Sequence, residues 1–150
     1  MVLEALTLLG IGFIGTLVWV VSTEAAAIYY GVTLGWPALL VGGIAALGQC
    51  AMYALLFLFG ERLLRRWRWL ALQVRRAQRR WGPRLEVGYL GTSAVASVFG
   101  LPPALAPPVL APSFEVPLVR LLPVMFAGRC VRFTVLALAG STVAAWFGLG

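Results

Sequence analysis

The sequence has no histidine, no aspartate and no lysine. Without histidine there is no imidazole proton shuttle, no Ser-His-Asp triad and no imidazole metal ligand. Without lysine there is no Schiff base, and without aspartate there are no Asp clusters of the kind that hold divalent metals in membrane enzymes. Neither an enzymatic activity nor a metal or other cofactor is therefore expected. Cysteine is nearly absent too: Cys50 and Cys130 lie inside apolar runs, read as small core hydrophobes, and are too few for a disulfide framework. Charge is scarce. Only 11% of residues are charged; the five acids are all glutamate and the twelve bases all arginine.

What is abundant is apolar. Hydrophobic residues make up 61% of the 150, and mean hydropathy is +0.93, against roughly 45–50% apolar in a soluble domain. In water such a chain would expose large apolar patches, so it belongs in a bilayer as a single membrane domain. Four uncharged runs organise it: Ala5 to Thr23, Ala25 to Gly60, Val87 to Phe114 and Phe133 to Gly150. A helical span needs about 20 residues. The second run, 36 residues, would measure roughly 54 Å as one helix. It must break, and Gly35-Trp36-Pro37 is the place, leaving Ala38 to Gly60 as one clean span. The chain before the break, Leu3 to Trp36, carries Ser22-Thr23-Glu24 in its middle, and fits either two crossings or a hairpin entering and leaving on one face. A signal peptide over Met1 to Val21 is disfavoured by Glu4, which occupies the place of a basic n-region.

Seven of the nine prolines lie at 102, 103, 107, 108, 112, 117 and 123. Gly100 to Pro123 therefore reads as a broken or re-entrant element packed within the fold, because non-helical backbone at membrane depth needs protein or water around it. Nine arginines fall between Arg62 and Arg84, giving this stretch, with Glu61, a net charge of +8. At 100° per residue Leu63, Trp67, Leu70, Val74, Ala77 and Trp81 share one stripe. Arg65, Arg68, Arg75, Arg76, Arg79 and Arg80 lie opposite. The pattern predicts a basic amphipathic helix over 61–84, anchored by Trp67 and Trp81 on anionic headgroups rather than on nucleic acid. The positive-inside rule places 62–84 in the cytoplasm, and the expected location is the cytoplasmic (inner) membrane.

Shifting the chain by 80 residues aligns Pro37 with Pro117, Gly48 with Gly128, Cys50 with Cys130 and Gly60 with Gly140. Each half, 1–60 and 85–150, reads as a broken apolar segment, a proline and a span. If each broken segment re-enters on its own side, the halves are inverted relative to each other, a transporter architecture. The expected fold is thus an all-α integral membrane protein: an inverted repeat of re-entrant or broken helical hairpin plus transmembrane helix, joined by the basic helix.

The first half, from Val21-Ser22-Thr23-Glu24 through Gly48-Gln49 and Tyr53 to Gly60-Glu61-Arg62, resembles the DedA superfamily, also called the VTT or SNARE-associated domain. The second, with Arg80-Trp81-Gly82-Pro83, Phe99-Gly100-Leu101-Pro102-Pro103 and Gly128-Arg129-Cys130-Val131-Arg132-Phe133, is similar to the short branch of that family. The likeness covers about residues 20–140. Glu24 matches the acid of the family's Pro-x-x-Glu-type motif, Gly48-Gln49 its Gly-Asp step, and Tyr53 its aromatic. The chain departs from the pattern at Ser22-Thr23, at Gln49 and at Leu101, where family members carry proline, aspartate and arginine. The resemblance implies movement of lipids across a bilayer: phospholipid scrambling, or return of a polyprenyl-phosphate carrier. The departures remove part of the set that the family ties to proton coupling.

Ionisable residues inside spans are costly and are functional candidates by default. Glu24, Glu115 and Arg129 are expected to face one polar cavity, with Arg120, Arg132 and Gln49 behind them. Glu115 and Arg120 are close enough in sequence to pair with each other or with Arg129, and Arg129 and Arg132 share a helix face. A guanidinium suits phosphate oxygens. The partners expected are membrane lipids with anionic headgroups, with a second copy or another membrane protein also admissible, and no nucleic acid. Two other functions fit the composition: a proton-coupled small-molecule exporter, and a non-transporting membrane subunit or assembly factor.

Overall fold

The computed structural model describes residues 2–18, 22–66, 86–99, 106–114 and 116–146. Every element among them is helical: α1 (Val2–Gly15), α2 (Thr23–Val32), α3 (Ala38–Arg66), α4 (residues 86–99), α5 (Ala106–Leu110), a 3-10 turn (Ala111–Phe114) and α6 (Leu118–Trp146). Two stretches are long and apolar enough to cross a membrane, Ala38–Gly60 in α3 and Leu118–Gly140 in α6, each of 23 residues, or about 34 Å. The first is the span read from the sequence. The second starts earlier than the run Phe133 to Gly150 suggested and takes in Arg120, Arg129 and Arg132.

Both long helices have 29 residues and begin directly after a proline, at positions 80 apart. The carbonyl of Pro37 accepts from the Leu40 and Val41 amides at 2.9 and 3.1 Å; that of Pro117 accepts from Arg120 and Leu121 at 3.0 and 3.1 Å. Proline suits this place because its missing N–H belongs to a turn whose amides have no helical partner. Pro123 corrects the sequence reading. It lies inside α6, removing the bond its nitrogen would have made to the Val119 carbonyl one turn back, so the broken element ends at Pro117.

The chain divides into two compact units, residues 1–52 with 126–150, and residues 53–125. In the first, α1 and α2 form an antiparallel hairpin. The Tyr30 hydroxyl donates to the Glu4 carbonyl at 3.0 Å, and the Thr23 hydroxyl to that of Ile11 at 3.5 Å. Its arms, of 14 and 10 residues, reach about 21 and 15 Å. Neither matches a hydrocarbon core of ~30 Å. The break at Gly35-Trp36-Pro37 is where the sequence put it. Gly35 takes φ +62°, the Trp36 amide donates back to the Tyr30 carbonyl at 3.2 Å, and the Trp36 ring meets Tyr30 edge-on at 5.4 Å. The left-handed glycine, this six-residue return and the apolar contact together end α2. The core joins Leu8, Ala27 and Tyr30 of the hairpin to Val41, Ala45 and Ala46 of α3 and Phe133 and Ala137 of α6.

In the second unit the Tyr89 ring stacks on Phe114 with centroids 4.8 Å apart, and its hydroxyl donates to the Pro107 carbonyl. Burial pushes the Tyr89 phenol upward, which keeps it the protonated donor that this bond requires. Gly60 packs directly on the Val109 backbone.

Candidate functional site

The polar side chains of the first unit gather at the start of α2. Ser22 is the N-cap, its hydroxyl accepting from the Ala25 amide at 3.1 Å, as a capping serine does. Thr23 is 4% exposed. Its hydroxyl accepts from the Gln49 amide of α3 at 3.5 Å while donating to Ile11 of α1. Glu24, in the first turn of α2, favours the helix's positive end. Its carboxylate accepts from two nitrogens of Arg132, Nε at 3.1 Å and one terminal nitrogen closer still. Three consecutive residues thus reach their own helix, α1 with α3, and α6.

Glu24 is the more open partner, with 46% of its side chain exposed against 20% for Arg132. Behind them the site is closed. Gln49 is 6% and Arg129 5% exposed, and Cys50 lies within electrostatic reach of Arg129. Gln49 is the middle residue of the span Ala38–Gly60, and Arg129 the middle residue of Leu118–Gly140. Close helix packing allows this. A methyl added at Gly12 of α1 would lie 2.6 Å from the Ala45 carbonyl oxygen, and one at Gly48 of α3 would run into the Leu9 carbonyl. The backbones of α1 and α3 approach on glycine, and this carries Gln49 to Thr23.

Of the residues singled out from sequence, Glu24, Arg132, Gln49 and Arg129 all belong to this unit. Arg132, expected in the second rank, is the direct partner of Glu24. Arg120 lies in the second unit. It pairs with Glu86 at 2.5 Å, a partner the sequence did not point to. Glu115 lies outside the described residues, as do Trp67, Arg68, Arg75, Arg76, Arg79, Arg80 and Trp81; Arg65 falls in the last turn of α3. The basic segment expected over 61–84 begins without a break as the end of α3, which runs through Arg66. The Thr23 hydroxyl was missed. Its signal was present in Ser22-Thr23-Glu24, a capping residue followed by two polar side chains between apolar runs.

No three Cys or Glu side chains cluster as a metal site among the described residues. Chemically the arrangement offers a half-open carboxylate–guanidinium pair, a second guanidinium and a carboxamide, all within apolar helices. Compared with family models, with characterised proteins and with solved structures, the chain finds no match.

Proposed function

We propose that this chain is a membrane transport protein of DedA/VTT type, moving lipids by letting their phosphate headgroups pass through a polar groove while the acyl chains stay in the bilayer. One observation carries the reading: polar side chains turn inward at the middle residues of both spans, Gln49 and Arg129, while the outward faces are apolar. Leu39, Leu47, Leu55 and Phe59 of α3, and Val119, Val131, Val135 and Leu138 of α6, are all exposed. Polar side chains buried beneath an apolar outer face are not the pattern of a water-soluble helix. Guanidinium groups at that depth suit phosphate oxygens.

In this reading the short α1–α2 hairpin re-enters the membrane from one face and the proline-broken segment before α6 from the other. The two halves are inverted, and residues 62–84 rest on the cytoplasmic side of the inner membrane. The equal lengths and 80-residue spacing of α3 and α6 support the duplication. Gly60 and Gly140, equivalent at that spacing, each pack against another helix, at Val109 of α5 and Ile28 of α2 respectively.

The test is lipid exchange in vesicles carrying the purified chain, with fluorescent phospholipid and a surface quencher. Exchange is expected in the wild type and strongly reduced in Glu24→Gln and Arg129→Ala. Unchanged exchange in both variants would remove these residues from the path. Absent exchange, with proton-driven movement of a small solute instead, would favour an exporter.

A further inference from the structure

We infer that Gln49 selects among phospholipids for headgroups that carry a hydrogen-bond donor beside the phosphate, an inference that rests on the lipid-transport reading above. The Gln49 carboxamide is more than nine-tenths buried and lies against Thr23, the first residue of α2. Its orientation follows from its neighbour. Thr23 has one hydroxyl proton, which goes to the Ile11 carbonyl, so its oxygen is left to accept and Gln49 must present its NH2. The other end of the amide, Oε1, is then a buried acceptor that no donor among the described residues reaches.

Beside it lie the positive end of a ten-residue helix and the Arg132 guanidinium, both met by the Glu24 carboxylate. Glu24 is half exposed and Gln49 is buried. A headgroup that reaches Gln49 must leave that acceptor unsatisfied or bring it a proton. The ammonium of phosphatidylethanolamine and the hydroxyls of phosphatidylglycerol bring one. The trimethylammonium of phosphatidylcholine does not. A buried acceptor that gains a donor is favoured roughly five- to 150-fold over one that does not, so discrimination of about tenfold is expected.

The experiment uses the full chain in vesicles of mixed phosphatidylcholine and phosphatidylglycerol. Acyl-labelled phosphatidylethanolamine, phosphatidylglycerol and phosphatidylcholine serve as separate probes. Wild type is expected to exchange the first two about tenfold faster than the third, and Gln49→Met, checked for an intact thermal transition in detergent, to bring the three rates together. Gln49→Glu keeps an acceptor of the same shape but adds negative charge. It is expected to retain phosphatidylethanolamine and lose phosphatidylglycerol, which keeps the test decisive should Gln49→Met fail to fold. Equal wild-type rates for the three lipids would overturn the selection and leave lipid transport standing. A preference that persists in a folded Gln49→Met, or a Gln49→Glu that moves phosphatidylglycerol as well as phosphatidylethanolamine, would also overturn it. No exchange of any probe would remove both readings together.

Discussion

Arg132 and Arg120 lie on the same helix and each meets a glutamate, yet the two pairs differ in weight. The Arg120 side chain is 65% exposed, and an open ion pair contributes about 0–1 kcal/mol. Arg120→Ala is therefore expected to leave the thermal midpoint nearly unchanged in detergent. Arg132 is largely enclosed, and loss of Glu24 removes the carboxylate that meets two nitrogens of its guanidinium. Glu24→Gln and Arg132→Gln should each lower stability by about 1.5–3 kcal/mol, the range for hydrogen bonds to charged groups. The exchange Glu24→Arg with Arg132→Glu should recover only part of this, because it places a cation at the positive end of α2. Equal effects of the Arg120 and Arg132 substitutions would contradict the assignment. The sequence marked Glu24 and Arg132 as candidates because charge in an apolar run is rare. It did not pair them, because 108 residues separate them and only packing decides which charges meet.

At the scale of helices, the breaks were legible and the contacts were not. Gly35 and Pro37 announced the end of α2 and the start of α3 because each constrains the backbone locally. Pro123 misled for the same reason: a local rule cannot tell a helix end from a helix that gives up one bond where neighbouring structure holds it. Glycine packing was equally hidden. Gly12, Gly43 and Gly48 look alike in sequence, yet Gly12 and Gly48 abut carbonyls of a neighbouring helix whereas an added methyl at Gly43 meets nothing within 4 Å. Gly12→Ala should therefore cost about 1–3 kcal/mol through overpacking. Gly43→Ala should stabilise by roughly 0.5–1 kcal/mol through helix propensity. Thermal unfolding in one detergent separates the two signs.

For the whole molecule, composition sufficed to predict an all-helical chain with spans, since 61% apolar content leaves few other solutions. The division into units was not visible, because it cuts across both long helices. If the halves are inverted as proposed, single cysteines at Thr7 and Ser141, in a background without Cys50 and Cys130, should label from the outside and one at Gln78 from the cytoplasm. Labelling of Thr7 and Ser141 from opposite sides would end that topology.

The first unit takes its last component from residues 126–150. A nascent polypeptide emerging from the ribosome thus completes its α1–α2 hairpin well before Arg132 and Phe133 arrive. Premature termination before Phe126 leaves Val41, Ala45 and Glu24 without their counterparts, a product that quality-control proteolysis is expected to clear.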